Sequence, residues 1–135
     1  MINTIKLSIC IATYNRAGFI KETLDSIFSQ NSDQIEVVVL DGGSSDGTEE
    51  LVKVYEEKYS NFRYIKLLAK GGFDEDLSSA VSHAKGEYCW LFSDDDIIKP
   101  GAIDYILSKL TQDHDVVIVN SEVKNQTLTK VLKSK

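Results

Sequence analysis

The chain has 135 residues, 42% of them hydrophobic, with one proline, eight glycines and a formal net charge of −6. A chain of that length reads as one domain that buries roughly two-thirds of its unfolded surface, and its composition excludes disorder and leaves little room for linkers. The negative balance speaks against nucleic acid, whose binding depends on basic residues, but not against a small phosphorylated ligand accompanied by a divalent cation.

No apolar run approaches the roughly 18 residues that a membrane helix needs, so no integral membrane segment is expected. The opening MINTIKLSICIATYN lacks the basic start and long apolar core of a signal peptide. The expected location is the cytoplasm, at most against the inner face of the cell membrane. Cys10 and Cys89 fall in apolar runs and read as two buried, reduced thiols, because no CxxC or metal spacing accompanies them. His83 reads as a solvent-side helix residue and His114 as a loop residue.

The elements alternate along the chain. Leu7–Thr13 is an apolar strand that ends in TYNR. Ile20, Leu24, Ile27 and Phe28 make a helical stripe within 19–30. Residues 35–40, apolar apart from Glu36, suit a parallel strand covered on both faces. A second helix carries Leu51, Val52, Tyr55 and Tyr59, and residues 62–68 form a third strand. Leu77, Ala80, Val81 and Ala84 mark a third helix, and residues 87–93 form a fourth strand. Pro100 opens a fourth helix with a stripe of Ile103, Ile106, Leu107 and Leu110, and residues 116–119 form a fifth strand. This alternation predicts an α/β fold, a mostly parallel sheet with helices on both faces. Residues 1–119 are the expected domain, and 120–135 a weakly ordered tail or edge strand.

Ligands of such sheets bind beyond the carboxyl ends of the strands. The segments there are Thr13-Tyr14-Asn15-Arg16, Asp41-Gly42-Gly43-Ser44, Ala69-Lys70-Gly71-Gly72 and Asp94-Asp95-Asp96. Two carboxylates ~5 Å apart repel by roughly 3 kcal/mol at an effective dielectric near 20, so three in a row after an apolar strand are either well solvated or await a cation. They lie upstream of the fourth helix, whose expected cap is Lys99, so they do not serve as its cap. Asp94-x-Asp96 therefore reads as a hard-cation site for Mg²⁺ or Mn²⁺.

In LDGGSSDGT, Asp46 or Ser45 caps the second helix, with Glu49 near enough to reach back. Asp41 needs no cap role and is placed to accept hydrogen bonds from a ribose or base. In GGFDED, Asp74 caps the third helix, or Gly71 and Gly72 admit a ligand that Asp74 or Asp76 reads. Arg16 is a single cation near the same place. The sequence contains no G-x-G-x-x-G after the first strand, no Walker motif and no G-x-S-x-G elbow.

The runs LSICIATYNRAGFIKETLDSIFSQ, VVVLDGGSSDGT and AKGEYCWLFSDDDIIKPGAI resemble the N-terminal half of family 2 glycosyltransferases of the GT-A fold, over about residues 7–119. The GGFDED stretch is similar to that of bacterial members that build surface polysaccharides, including transferases of dideoxy sugars.

The resemblance implies a nucleotide-sugar donor, a divalent metal (Mn²⁺ or Mg²⁺) and inverting transfer to a sugar or lipid-linked sugar acceptor. By position, Ala12, Thr13, Tyr14, Asn15, Arg16 and Asp41 line the nucleotide pocket, with Gly71, Gly72, Asp74 and Asp95 in the wider donor site. Asp94 faces ribose and metal, and Asp96 holds the metal against the diphosphate. Gly42 stands where the family often has a second acid, and Leu77 lies in the region where it often has an arginine. The acceptor half and its general base lie past this stretch in the family. The 135 residues alone are therefore expected to transfer no sugar, and the edge at 116–119 is expected to be exposed or covered by self-association. The alternatives are a non-catalytic nucleotide-sugar or metal-binding module, a receiver-like domain and a sugar nucleotidyltransferase. TYNR and AKGG contradict the receiver pattern, and TYNRAG is not the glycine-rich basic loop of a nucleotidyltransferase.

Overall fold

The computed structural model describes residues 4–124, 127–128 and the backbone of 131–134. Four parallel strands form the central sheet: β1 (Leu7–Thr13), β2 (Ile35–Asp41), β3 (Phe62–Lys66) and β4 (Tyr88–Phe92), in the order β3-β2-β1-β4. Every residue of β1 and β2 is buried. Continuous apolar runs rich in Ile and Val satisfy that position, because central parallel strands are covered on both faces. The register pairs Thr13 with Asp41 and Ile11 with Phe92, so the carboxyl ends of β1, β2 and β4 lie side by side.

Four helices cover the sheet. α1 (Ile20–Phe28), α2 (Thr48–Lys58) and α4 (Ala102–Lys109) bury Ile20, Leu24, Ile27, Val52 and Ile103 against Ile9, Ile11, Val37 and Val39 on one face. Each such side chain contributes about 1.5–3 kcal/mol on burial. α3 (Phe73–Ser82) covers the other face, where Ala80 meets Cys10 and Leu40. A short antiparallel pair, β5 (Glu122–Lys124) and β6 (Val131–Ser134), follows. Lys99 Nζ lies 2.9 Å from Glu122 Oε1 and ties β5 to the loop before α4.

At the amino ends of the strands, buried Glu36 joins three segments. Ser8 Oγ donates to its Oε1 at 2.7 Å, Lys85 N to Oε1 at 2.5 Å, and Arg63 Nη2 to Oε2 at 3.1 Å. A polar cleft of about 620 Å³ opens there beside Asn61 and Arg63. It lies opposite the strand ends at which ligands of such sheets bind.

The sequence expectations need four corrections. Residues 116–119 form no strand; Val116 and Ile118 are 75% and 87% exposed. Their apolar run signals a demand for burial, but a strand also needs a hydrogen-bonding partner, and among the described residues only β1 pairs with β4. The segment instead borders a cleft of about 520 Å³ beside Tyr88, Cys89 and Trp90. Cys89 is exposed while Cys10 is buried, because alternate residues of β4 face a side of the sheet where α3 covers β1 and β2. α4 begins at Ala102 after Gly101, whose φ is 80°, so Pro100 precedes the helix and Lys99 is not its cap. Finally, α3 carries no side-chain cap: Asp74 is exposed and Asp76 is the buried acid.

Candidate functional site

The loops after β1 and β2 are stitched together by reciprocal hydrogen bonds. Asn15 N donates to Ser44 Oγ at 2.8 Å, and Ser45 N donates to Asn15 Oδ1 at 2.9 Å. Asn15 adopts φ 52°, a left-handed conformation that asparagine tolerates better than most residues. Arg16 N donates to Thr48 Oγ1 and Ala17 N to Asp46 Oδ2, at 3.0 and 3.1 Å. Asp46 also takes the N–H of Thr48 at 3.1 Å, but the residue that starts α2 is Gly47, without a side-chain cap, so neither Asp46 nor Ser45 is the N-cap expected from sequence. These contacts hold the TYNR segment against the start of α2.

Asp41 is fully buried at the end of β2. Its Oδ1 accepts from Gly43 N, Ser44 N and Ser44 Oγ at 3.0, 2.8 and 2.7 Å, and its Oδ2 from Tyr64 at 2.6 Å. Burial first, and then this bond to Asp41, push the Tyr64 phenol upward. Asp41 does therefore cap a turn, contrary to the sequence reading, and its side chain is occupied by its own loop. Gly43, at φ 92°, is the residue that lets the loop turn, and a Cβ there would stand 3.3 Å from Leu67 O.

Across the sheet end, Asp94 is buried where β4 stops. Thr13 Oγ1 donates to its Oδ2 at 2.8 Å, and Arg16 Nε lies 3.7 Å from the same oxygen. Burial pushes the Asp94 carboxyl upward; Thr13 and Arg16 oppose that shift, and Asp95 adds to it. Asp95 is exposed and its Oδ1 accepts from Ser93 Oγ at 2.5 Å. Burial and then Asp95 push the Asp96 carboxyl upward as well. Among the described residues no side chain donates a hydrogen bond to Asp96, and no group of three or more metal-binding side chains converges.

Ala12 and Thr13 are buried in the last positions of β1, while Tyr14, Asn15 and Arg16 are exposed above them. Gly71 and Asp74 are exposed and Gly72 partly so. Lys70 Nζ sits 4.9 Å from the Tyr14 ring centroid, which brings the loop after β3 next to the loop after β1. The structure thus gathers Thr13, Arg16 and Asp94 in direct contact, Tyr14 beside Lys70, and Asp41 beneath them. Ser44 and Lys70 entered the sequence reading only as members of the segments after β2 and β3, without a role, and Tyr64 not at all. A polar residue three positions after Asp41 was the available signal for Ser44, whereas Tyr64 becomes relevant only through the pairing of β2 with β3.

The four-stranded parallel sheet covered by helices, with polar loops at its carboxyl edge, is the GT-A type of fold, which the solved glycosyltransferase structures below share. The chain belongs to glycosyl transferase family 2, whose family model matches residues 8–134. Abequosyltransferase RfbV of Salmonella typhimurium is 36% identical over 117 residues, 83% of this chain and 34% of that protein. The hyaluronan synthase of Pasteurella multocida is 32% identical over 127 residues, 92% of this chain and 13% of that protein. Among solved structures, S. aureus TarS 1–349 in complex with UDP-GlcNAc superposes with a TM-score of 0.74 at 29% identity, over 79% of this chain and 31% of that one. The mannosyltransferase PcManGT of Pyrobaculum calidifontis, in complex with GDP-Man and Mn²⁺, superposes at 0.71 and 27% identity, over 84% and 34%. The chain spans about a third of the length of RfbV and of TarS 1–349.

Proposed function

We propose that residues 7–119 bind a nucleotide-sugar donor together with Mn²⁺ or Mg²⁺, for inverting transfer of the sugar to an acceptor hydroxyl in bacterial polysaccharide synthesis. The observation that carries the reading is the placement of Asp94, tied to Thr13 and Arg16, beside Asp96, to which no described side chain donates, at the carboxyl edge of the sheet. TarS bound to UDP-GlcNAc and PcManGT bound to GDP-Man and Mn²⁺ support it by likeness, and RfbV and the hyaluronan synthase support the polysaccharide context.

The residues fit a hard cation. Asp94 and Asp96 supply carboxylate oxygens only, and Mg²⁺ characteristically takes one or two carboxylates with substrate phosphates and water. When bound, the ion would neutralise charge that develops on the departing nucleoside diphosphate. The exposed Arg16, whose Nε lies 3.7 Å from Asp94 Oδ2, would also present its guanidinium to the diphosphate. Tyr14, Asn15 and the loop shaped by Asp41 would border the nucleoside, and Gly71 and Gly72 would admit it. Asp74 and Asp95, both exposed, stand at the rim.

The acceptor would be a sugar or lipid-linked sugar, and a general base must take its proton. The span of about a third of the relatives' length favours a second reading, donor binding without turnover by these residues alone. Thermal-shift screening of UDP-, GDP-, CDP- and dTDP-sugars with and without Mn²⁺ tests donor binding. A shift that needs both sugar nucleotide and metal is expected. The absence of any shift with all four donors contradicts the proposal. Incubation with radiolabelled donor and acceptors then separates turnover from binding alone.

A further inference from the structure

We propose that Asp76 is a specificity-determining residue for the donor's base: its Oδ2 accepts a hydrogen bond from a nucleobase N–H seated at the exposed Gly71, against Tyr14. The inference rests on the nucleotide-sugar reading above and adds to it the residue that selects the base. Asp76 lies on the inward side of α3 and is only 4% exposed. A carboxylate that deeply buried normally has partners for both oxygens. Asp76 has one modest bond, from Gly71 N to Oδ1 at 3.2 Å, and no hydrogen bond to Oδ2 among the described residues. Thr23 Oγ1 is the one side-chain atom among them that is both sealed from solvent and unpartnered, so Asp76 Oδ2 keeps an opening.

That opening points to the ligand end of the sheet. A Cβ built on Gly42, the residue after β2, would stand 3.1 Å from Asp76 Oδ2 and 3.3 Å from Lys70 Cβ and Cγ. A Cβ on Gly71 would stand 3.1 Å from Asp76 Oδ1. These distances are tighter than ordinary contact and Gly42 is itself buried, so bare backbone fits closely against the carboxylate where any side chain would press on it, and Gly71, at its edge, is exposed. Lys70 also borders Gly42 and reaches the face of Tyr14, which is 41% exposed. An aromatic face, an ammonium group and a buried acceptor oxygen around a glycine floor are the chemistry of a base subsite, with stacking on the ring and a hydrogen bond at the edge.

Two strand spacings separate the end of β2 from that of β4, roughly 10 Å. That leaves room for a ribose and diphosphate between Asp76 and the Asp94–Asp96 pair. A carboxylate only accepts, so it favours a base whose edge presents N–H and rejects one that presents a lone pair there.

Calorimetric titration of UDP, CDP, GDP and dTDP in Mn²⁺ tests this, with ribose 5-phosphate as the base-less probe. The wild-type chain should prefer some of the four. Asp76→Asn should weaken the preferred nucleotide at least tenfold and narrow the spread, with ribose 5-phosphate within twofold of wild type. Gly42→Ala, which presses a methyl on the carboxylate, should produce the same selective loss and decides the matter if Asp76→Asn does not fold. Undiminished affinity for the preferred nucleotide in the folded variants overturns the proposal, as does an equal loss of ribose 5-phosphate. A wild-type chain that binds no nucleotide overturns the donor reading itself and is a separate outcome.

Discussion

Thr13 Oγ1 donates a 2.8 Å hydrogen bond to Asp94 Oδ2 and so joins the carboxyl ends of two neighbouring strands through buried side chains. The bond opposes the upward push that burial exerts on the Asp94 carboxyl. Thr13→Val keeps the shape and removes the donor. A lost hydrogen bond to a charged, buried group costs about 1.5–3 kcal/mol. The variant should therefore lose that much in urea unfolding and bind metal and nucleotide more weakly. Unchanged stability and affinity would show that Thr13 is a bystander.

Asp46 gives the loops a pH dependence of known sign. Its carboxyl is held below the ordinary 3.8, chiefly by the Thr48 hydroxyl, with the backbone N–H groups of Ala17 and Thr48 adding to the effect. A lowered folded value means that the stabilisation is present above about 3.8 and is lost as pH falls through the folded value. Asp46→Asn should flatten that part of the acid-unfolding curve. The effect should be small, because the side chain is exposed. A steeper acid limb in the variant would contradict the assignment.

Gly86 is the glycine that packing requires most plainly. A Cβ there would fall 2.6 Å from Ser8 Oγ and 2.7 Å from Ser8 N. Its N–H also donates to Ser8 Oγ at 2.8 Å. Gly86→Ala must push β4 away from β1 and should cost about 1–3 kcal/mol, as overpacking generally does. Chemical denaturation measures this, and a neutral result would mean that the loop before β4 moves freely.

Glu36 faces donors on both oxygens, from Ser8, Lys85 and Arg63. Glu36→Gln is nearly isosteric, yet wherever its NH₂ points it meets another donor. The expected cost is about 1–3 kcal/mol, with nucleotide affinity unchanged, since the site lies at the other end of the strands. Lost nucleotide binding in a fully folded variant would contradict that separation.

Much of the fold was legible because apolar periodicity reports burial directly. The continuous runs of β1 and β2 and the stripes of α1 and α4 appeared where the residues required them. The run at 116–119 misled for the same reason, since periodicity says what wants burial but does not supply a strand partner. Thr13, Arg16 and Asp94 were readable as a group because each directly follows or ends a strand. Asp41 was placed correctly, but its four donors were not foreseen: Tyr64 reaches it from β3 and Ser44 from the turn that Asp41 itself organises. Asp76 stood in a run of acids that read equally well as a helix start, and only the packing of α3 distinguishes it from Asp74.

Isothermal calorimetry of a nucleoside diphosphate, in Mn²⁺ and in chelator, with wild type and Asp96→Asn, tests the central claim most directly. The account predicts binding that requires the cation, and at least a tenfold loss in a folded Asp96→Asn, about 1.4 kcal/mol. Equal affinity in Mn²⁺ and in chelator, or an undiminished Asp96→Asn, would contradict it.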